Sequence, residues 1–327
     1  MNANILLMIH GVIEDTEPSS HTPQYDQLWE FLQQKEPILS DKINAVIRVE
    51  WGHAPLSSAA LWPDEELTAA ENTLLAATSY AKIKATPTAD DSFLHLTPDF
   101  LPRLMIRPLI SRVKEQVLVT GIGDVFYYTS SEGERAVRDH VYSQFLTGME
   151  PYKDAENVAL HLIGHSQGAT IGFDFLFGML APDSEYSKGV PGFVENEQSS
   201  PEMLAAYTHW RNMAQAGTLT LGSKSSFGCQ VALMMLRKQK LVDKLAAGER
   251  LDPTVIGVPK TGLPKWKIFF DTDDVLGFPA RRLFDSVGSI REYEVDSDWN
   301  PLASHTSYRL NDEVQREIAA LIAANLI

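Results

Sequence analysis

Five residues, Gly164-His165-Ser166-Gln167-Gly168, constrain the fold of this chain more than any other stretch. An apolar run from Val158 to Ile163, broken only by His161, precedes them, and a helix pattern rich in small residues follows from Gln167. A buried strand that passes directly into a buried helix leaves room for little more than one turn residue. That residue is held in a strained backbone conformation with its side chain projecting outward. The flanking glycines remove side chains that would strike the neighbouring strand or helix. The turn residue here is a serine.

The rest of the chain supplies a setting for such a turn. Ile5–Ile9 is a continuous apolar run, as expected of a strand buried on both faces of a parallel sheet. Tyr25, Leu28, Trp29 and Leu32 follow at the spacing of an amphipathic helix that ends near Pro37, and Ala45–Val49 reads as a second strand. Strand, helix and strand at this spacing form a βαβ unit and imply parallel pairing. The rhythm resumes with a helix near Glu132–Leu146, the strand Val158–Ile163 and the helix Gln167–Leu180. Strands at Thr218–Leu221, Lys267–Phe270 and Ile290–Val295 and a helix at Asp312–Ile322 complete the pattern. The expected fold is α/β, a single domain with a doubly wound, mostly parallel sheet. Three stretches interrupt it and read as helical, cap-like insertions: about 52–120, 182–217 and 224–264.

A lone serine hydroxyl is a poor nucleophile, so Ser166 needs a base, and the base needs a carboxylate to orient it. On a strand–turn–helix serine those partners follow in the order acid then histidine, each in a loop after a later strand. His305 is the one histidine beyond His209, and it stands after the last strand. Asp271, Asp273 and Asp274 all sit at the end of the strand Lys267–Phe270. Asp274 is favoured because it opens the Val-Leu-Gly run; Asp273 is the alternative, and the others are expected to cap the turn or face solvent. A developing oxyanion needs two backbone N–H donors. Gln167, which begins a helix, supplies one, and Val12, after His10-Gly11, is the expected second. His10 itself reads as structural.

Composition narrows the classes of partner. Acidic residues outnumber basic ones 43 to 28, a net charge of −15, which disfavours a nucleic-acid backbone or an anionic membrane surface. The single cysteine, Cys229, excludes an internal disulfide and any multi-cysteine metal site, and it reads as a small buried apolar residue. The apolar stretch 169–181 is too short to span a bilayer. The N-terminus has no basic segment or cleavage site ahead of Ile5, so a cytoplasmic location is expected.

Ile9-His10-Gly11, Gly164-His165-Ser166-Gln167-Gly168, Asp274 and His305 together resemble the α/β-hydrolase superfamily, specifically its lipase and carboxylesterase members. Leu221-Gly222-Ser223 and the stretch from Trp266 through Phe270-Asp271 to Asp274-Val275-Leu276-Gly277 are similar to strand ends of bacterial serine esterases in it. The resemblance covers the strands but not the insertions, and the antiparallel hairpin that usually precedes the His-Gly strand is missing from this sequence. It implies hydrolysis of a small-molecule carboxylic ester through an acyl-enzyme, with no metal or cofactor. A thioester or amide is the alternative, since the same groups serve all three, and a non-catalytic binding protein is a third possibility. Trp62, Phe93, Phe193 and Phe227 are expected to give the cap an apolar lining.

Overall fold

Every side chain from Ile5 to Ile9 is fully buried in the computed structural model, as a continuous apolar run requires when both faces of a strand are covered. The structure describes residues 1–11, 22–51, 128, 131–183, 200–234, 239–274, 276–298 and 301–327. The strands are β1 (Asn2–Ile9), β2 (Ile43–Val49), β3 (Asn157–His165), β4 (Leu219–Phe227), β5 (Trp266–Phe270) and β6 (Ile290–Glu294). They form one six-stranded sheet in the order β2-β1-β3-β4-β5-β6. Every pairing in it is parallel.

Alternate residues of β1 serve two cores. Ile5, Leu7 and Ile9 join the cluster that contains Val141 and Phe145 of helix α3 (Ser131–Met149; α2 is the short helix Ile38–Lys42). The same cluster takes in Phe175 and Met179 of α4 (Gln167–Leu180) and Trp210 of α5 (Pro201–Gln215). Leu6 and Met8 join the other cluster, with Leu28 and Leu32 of α1 (Thr22–Lys35) and Ile318 and Ile322 of the last helix, Asp312–Ala323. Helices therefore cover both faces, consistent with a doubly wound sheet. From β1 the chain winds outward to β2 and then returns to place β3 on the other side of β1. Open parallel sheets bind ligands at such a reversal, beyond the carboxyl ends of the flanking strands, which here are β1 and β3.

The described parts of two expected insertions belong to the layers. Helix α5 buries Tyr207 and Trp210, and the Tyr207 hydroxyl donates to the Gly178 carbonyl of α4 at 3.1 Å. Strand β4 does not stop at Leu221. It continues through Ser223-Lys224-Ser225-Ser226 to Phe227 because internal partners satisfy much of its polarity. The Ser223 hydroxyl meets His161 Nδ1 at 2.9 Å, and Ser226 Oγ accepts from Trp266 Nε1 at 3.1 Å. Ile256 and Val258, further along the same expected insertion, are fully buried. Phe227 is likewise a buried strand residue rather than part of a cap lining. Residues 52–120, with Trp62 and Phe93, lie outside the described residues, as does Phe193.

Lys224 is fully buried beneath α4, where Nζ donates to the Ala169 carbonyl at 3.3 Å and lies 5.2 Å from the centre of the Trp266 ring. Burial pulls its pKa down to about 8, against weaker opposing effects of Cys229 and Asp174. Between about pH 8 and the unfolded lysine value near 10.4, the unfolded chain binds a proton that the folded chain has released. Stability therefore rises with pH across that window. Lys224→Met removes the buried ammonium. The variant is expected to melt at or above the wild type at pH 7, with the wild type gaining on it as pH approaches 10. Melting curves that run parallel in pH would rule this out.

Candidate active site

Ser166 is the only non-glycine residue with positive φ among the described residues, at φ 51° and ψ −125°. Two glycines account for this conformation. A Cβ on Gly168 would lie 2.2 Å from the carbonyl oxygens of both Ile9 and His10, and one on Gly164 would lie 2.7 Å from Ala169 Cα. The first turn of α4 therefore rests directly on the end of β1, and one residue must reverse the chain between β3 and α4. Ser166 N–H extends the sheet by donating to the Phe227 carbonyl at 2.9 Å. Gln167 opens the helix, so its N–H has no acceptor within the helix, and it lies at the positive end of the helix dipole.

Around Ser166 the structure gathers side chains from the ends of other strands. His305 stands in α8 (Pro301–Ser307), beyond β6 and just ahead of the last helix, α9 (Asp312–Ala323); α6 (Val231–Met234) and α7 (Gln239–Ala246) lie between β4 and β5. Its Nε2 is 2.8 Å from Ser166 Oγ, and its Nδ1 is 2.9 Å from both carboxylate oxygens of Asp274. A nitrogen facing two carboxylate oxygens carries the proton, which leaves Nε2 to accept from the serine hydroxyl. Asp274 Oδ1 also accepts from Leu276 N–H at 2.8 Å, and Oδ2 from the Tyr308 hydroxyl at 2.8 Å. Burial alone would push the Asp274 carboxyl up. The hydrogen bonds and charge of His305, with those from Leu276 and Tyr308, outweigh it and hold the carboxyl below its ordinary value.

The neighbouring acids play other parts. Asp271 Oδ1 accepts from Asp273 N–H at 2.8 Å and Oδ2 from Ser297 N–H at 2.7 Å, so this carboxylate ties the turn to the loop after β6. Asp273 faces solvent. It is Asp274 that the structure brings to His305. His10 is held at both nitrogens: Nδ1 lies 2.6 Å from the Gly11 carbonyl, and Nε2 accepts from Trp51 N–H at 3.2 Å. Cys229 is fully buried, and burial raises its thiol pKa. Val12 lies outside the described residues. The strand end before it is in contact with the serine, since a Cβ on Gly11 would lie 2.7 Å from Ser166 Cβ.

Three side chains here escape sequence reasoning. Tyr308 is fully buried; its hydroxyl accepts from Asp271 N–H at 2.8 Å while donating to Asp274, and burial together with the Asp274 charge raises its pKa. His165 Nε2 donates to the His305 carbonyl at 2.7 Å, and its ring stacks on Phe227 at 5.0 Å. Burial and the nearby His305 lower its pKa to about 3, so it stays neutral. Gln230 Nε2 lies 3.3 Å from Ser166 Oγ. A buried tyrosine and a strand-end histidine resemble ordinary core residues, and nothing in the sequence around Gln230 sets it apart.

Among the described residues, no group of three or more His, Cys, Asp or Glu could hold a metal ion, and no helix is long and apolar enough to cross a membrane. In comparisons with known proteins, no family model, no curated protein and no solved structure matches the chain. The chemical capacity of the site must therefore be read from its geometry. A hydroxyl hydrogen bonded to an imidazole, itself hydrogen bonded to a buried carboxylate, can lose its proton as it attacks an electrophilic carbon.

The carboxylates differ in what they support, and this is measurable without any substrate. Asp274→Ala leaves the His305 and Tyr308 donors unpaired and is expected to cost about 3 kcal/mol or more of unfolding free energy. Asp273→Ala removes an exposed side chain and should stay within about 0.5 kcal/mol of wild type. Chemical denaturation of both variants gives the comparison.

Proposed function

We propose that this chain is a serine hydrolase of α/β-hydrolase type that cleaves carboxylic esters. The observation that carries the proposal is the continuous hydrogen-bonded chain Asp274–His305–Ser166, with the serine at a positive-φ strand-to-helix turn. The order of the loops supports it as well. The serine, acid and histidine follow β3, β5 and β6 in turn, all at the carboxyl edge of one parallel sheet.

In this mechanism Ser166 Oγ attacks the ester carbonyl while His305 Nε2 takes the hydroxyl proton. Asp274 holds the imidazole in the tautomer with Nδ1 protonated and stabilises the imidazolium that forms. Charge developing on the carbonyl oxygen faces the N–H of Gln167, and Val12 N–H would be the second donor. As the tetrahedral intermediate collapses, His305 passes its proton to the leaving alcohol, and Ser166 retains the acyl group. Water then enters. His305 deprotonates it, the acyl–Oγ bond breaks, and the acid leaves as the serine proton is restored. Tyr308 and Leu276 hold Asp274 in place by satisfying the lone pairs that His305 does not use.

The reading is tested at Ser166. A fluorophosphonate probe should label the wild-type chain and fail to label Ser166→Ala. Ester turnover in that variant should fall by roughly four orders of magnitude or more, because residues of such a unit act together. A folded Ser166→Ala variant that retains a tenth of wild-type activity would refute the assignment. A series of p-nitrophenyl esters from acetate to palmitate reads the acyl preference.

A further inference from the structure

Gln230 follows Gly228-Cys229 just beyond the end of β4, and its side chain is 2% exposed. The hydrogen-bond pattern fixes which way its amide faces. The Ser166 proton is committed to His305 Nε2, so Oγ has only lone pairs to offer, and Gln230 must present Nε2–H to it across 3.3 Å. Its other amide atom, Oε1, is then a buried acceptor with no partner among the described residues. Gln167, directly after the serine, is fully buried with neither side-chain amide atom partnered among the described residues. Buried polar atoms in folded proteins are overwhelmingly paired, and an exception beside a reactive hydroxyl calls for a functional explanation.

We propose that Gln230 reads the substrate: Oε1 accepts a hydrogen bond from a hydroxyl or amino group on the carbon next to the scissile carbonyl. The preferred acyl groups are therefore 2-hydroxyacyl or 2-aminoacyl rather than plain fatty chains. The inference rests on the hydrolase reading above. The leaving atom must face His305 Nε2 to be protonated, which leaves Oε1 to the acyl side. Standard amide bond lengths place Oε1 about 2.2 Å from Nε2 and so no more than about 5.5 Å from Oγ. Once Oγ bonds the acyl carbon, a substituent on the next carbon stands about 3 to 3.7 Å from Oγ by the same bond lengths. A hydrogen bond of ordinary length to Oε1 then closes the triangle. A site that hydrogen bonds a substrate hydroxyl discriminates strongly against analogues that lack it, because its own buried acceptor is left unpaired.

The test compares p-nitrophenyl esters of 2-hydroxybutanoic and 2-methoxybutanoic acids, with each kcat/KM divided by the rate of hydrolysis by hydroxide. The wild-type chain should favour the hydroxy ester at least tenfold. Gln230→Met, which keeps length but loses both amide atoms, should bring the ratio to within about twofold of unity. Fluorophosphonate labelling of the wild type separates the two levels of the argument. No labelling and no turnover of either ester would overturn the hydrolase reading and this inference with it. Labelling with a hydroxy-to-methoxy ratio near one in the wild type, or with the preference intact in Gln230→Met, would overturn the role of Gln230 alone.

Discussion

The contact between the first turn of α4 and the end of β1 sets the geometry on which the rest of the site depends. Gly168 comes so close to the Ile9 and His10 carbonyls that no side chain fits there. A helix packed this tightly on the neighbouring strand gives the chain one residue in which to leave β3, and Ser166 takes the positive φ that results. A non-glycine residue in that region costs about 1 to 3 kcal/mol and persists only where its surroundings over-determine it. Here they do, since the Ser166 N–H is fixed by the Phe227 carbonyl and the Ser166 carbonyl by Ala169 N–H at 3.0 Å.

A buried polar chain descends from that strained turn, and Asp274 is its hub. Charge in a protein interior is tolerated only when it is paired and hydrogen bonded. Asp274 meets both conditions with donors from three places: an imidazole, a backbone N–H and a phenol. Tyr308 also takes the Asp271 N–H, so the turn that presents Asp274 is held by the ring that pairs with it. Asp271 fastens the same turn to Ser297, beyond β6. The acid and histidine loops are thus positioned by one shared set of bonds rather than separately.

How far the sequence reveals this depends on the range of the interactions concerned. Apolar periodicity is local, so β1, β3, β5 and α4 are legible, and the order serine, acid, histidine follows from where they end. The second half of β4 is not legible, because Ser223, Lys224 and Ser226 read as polar until His161, Ala169 and Trp266 appear as their partners. Helix α5 hides for a similar reason: it falls in a stretch that reads as an insertion, while Tyr207 and Trp210 bury themselves in the core and Met203, Leu204 and Met213 pack against it. Among the site residues, Tyr308 meets Asp274 across 34 positions, Gln230 meets Ser166 across 64, and His165 meets His305 across 140. No local pattern encodes contacts of that span. Asp274 and Asp273 are adjacent, and what separates them is burial: Asp274 faces His305 and Tyr308, while Asp273 faces solvent.

The bond from His165 to the His305 carbonyl makes the residue before the serine a tether for the imidazole. His165 is neutral, stacked on Phe227 and bonded through Nε2 to the His305 carbonyl, so it serves as a strut. It also joins β3 to the backbone that carries the imidazole. Any rearrangement that swings α8 away must break this part-buried bond, in addition to parting the imidazole from the hydroxyl. The two groups consequently share one rigid mount.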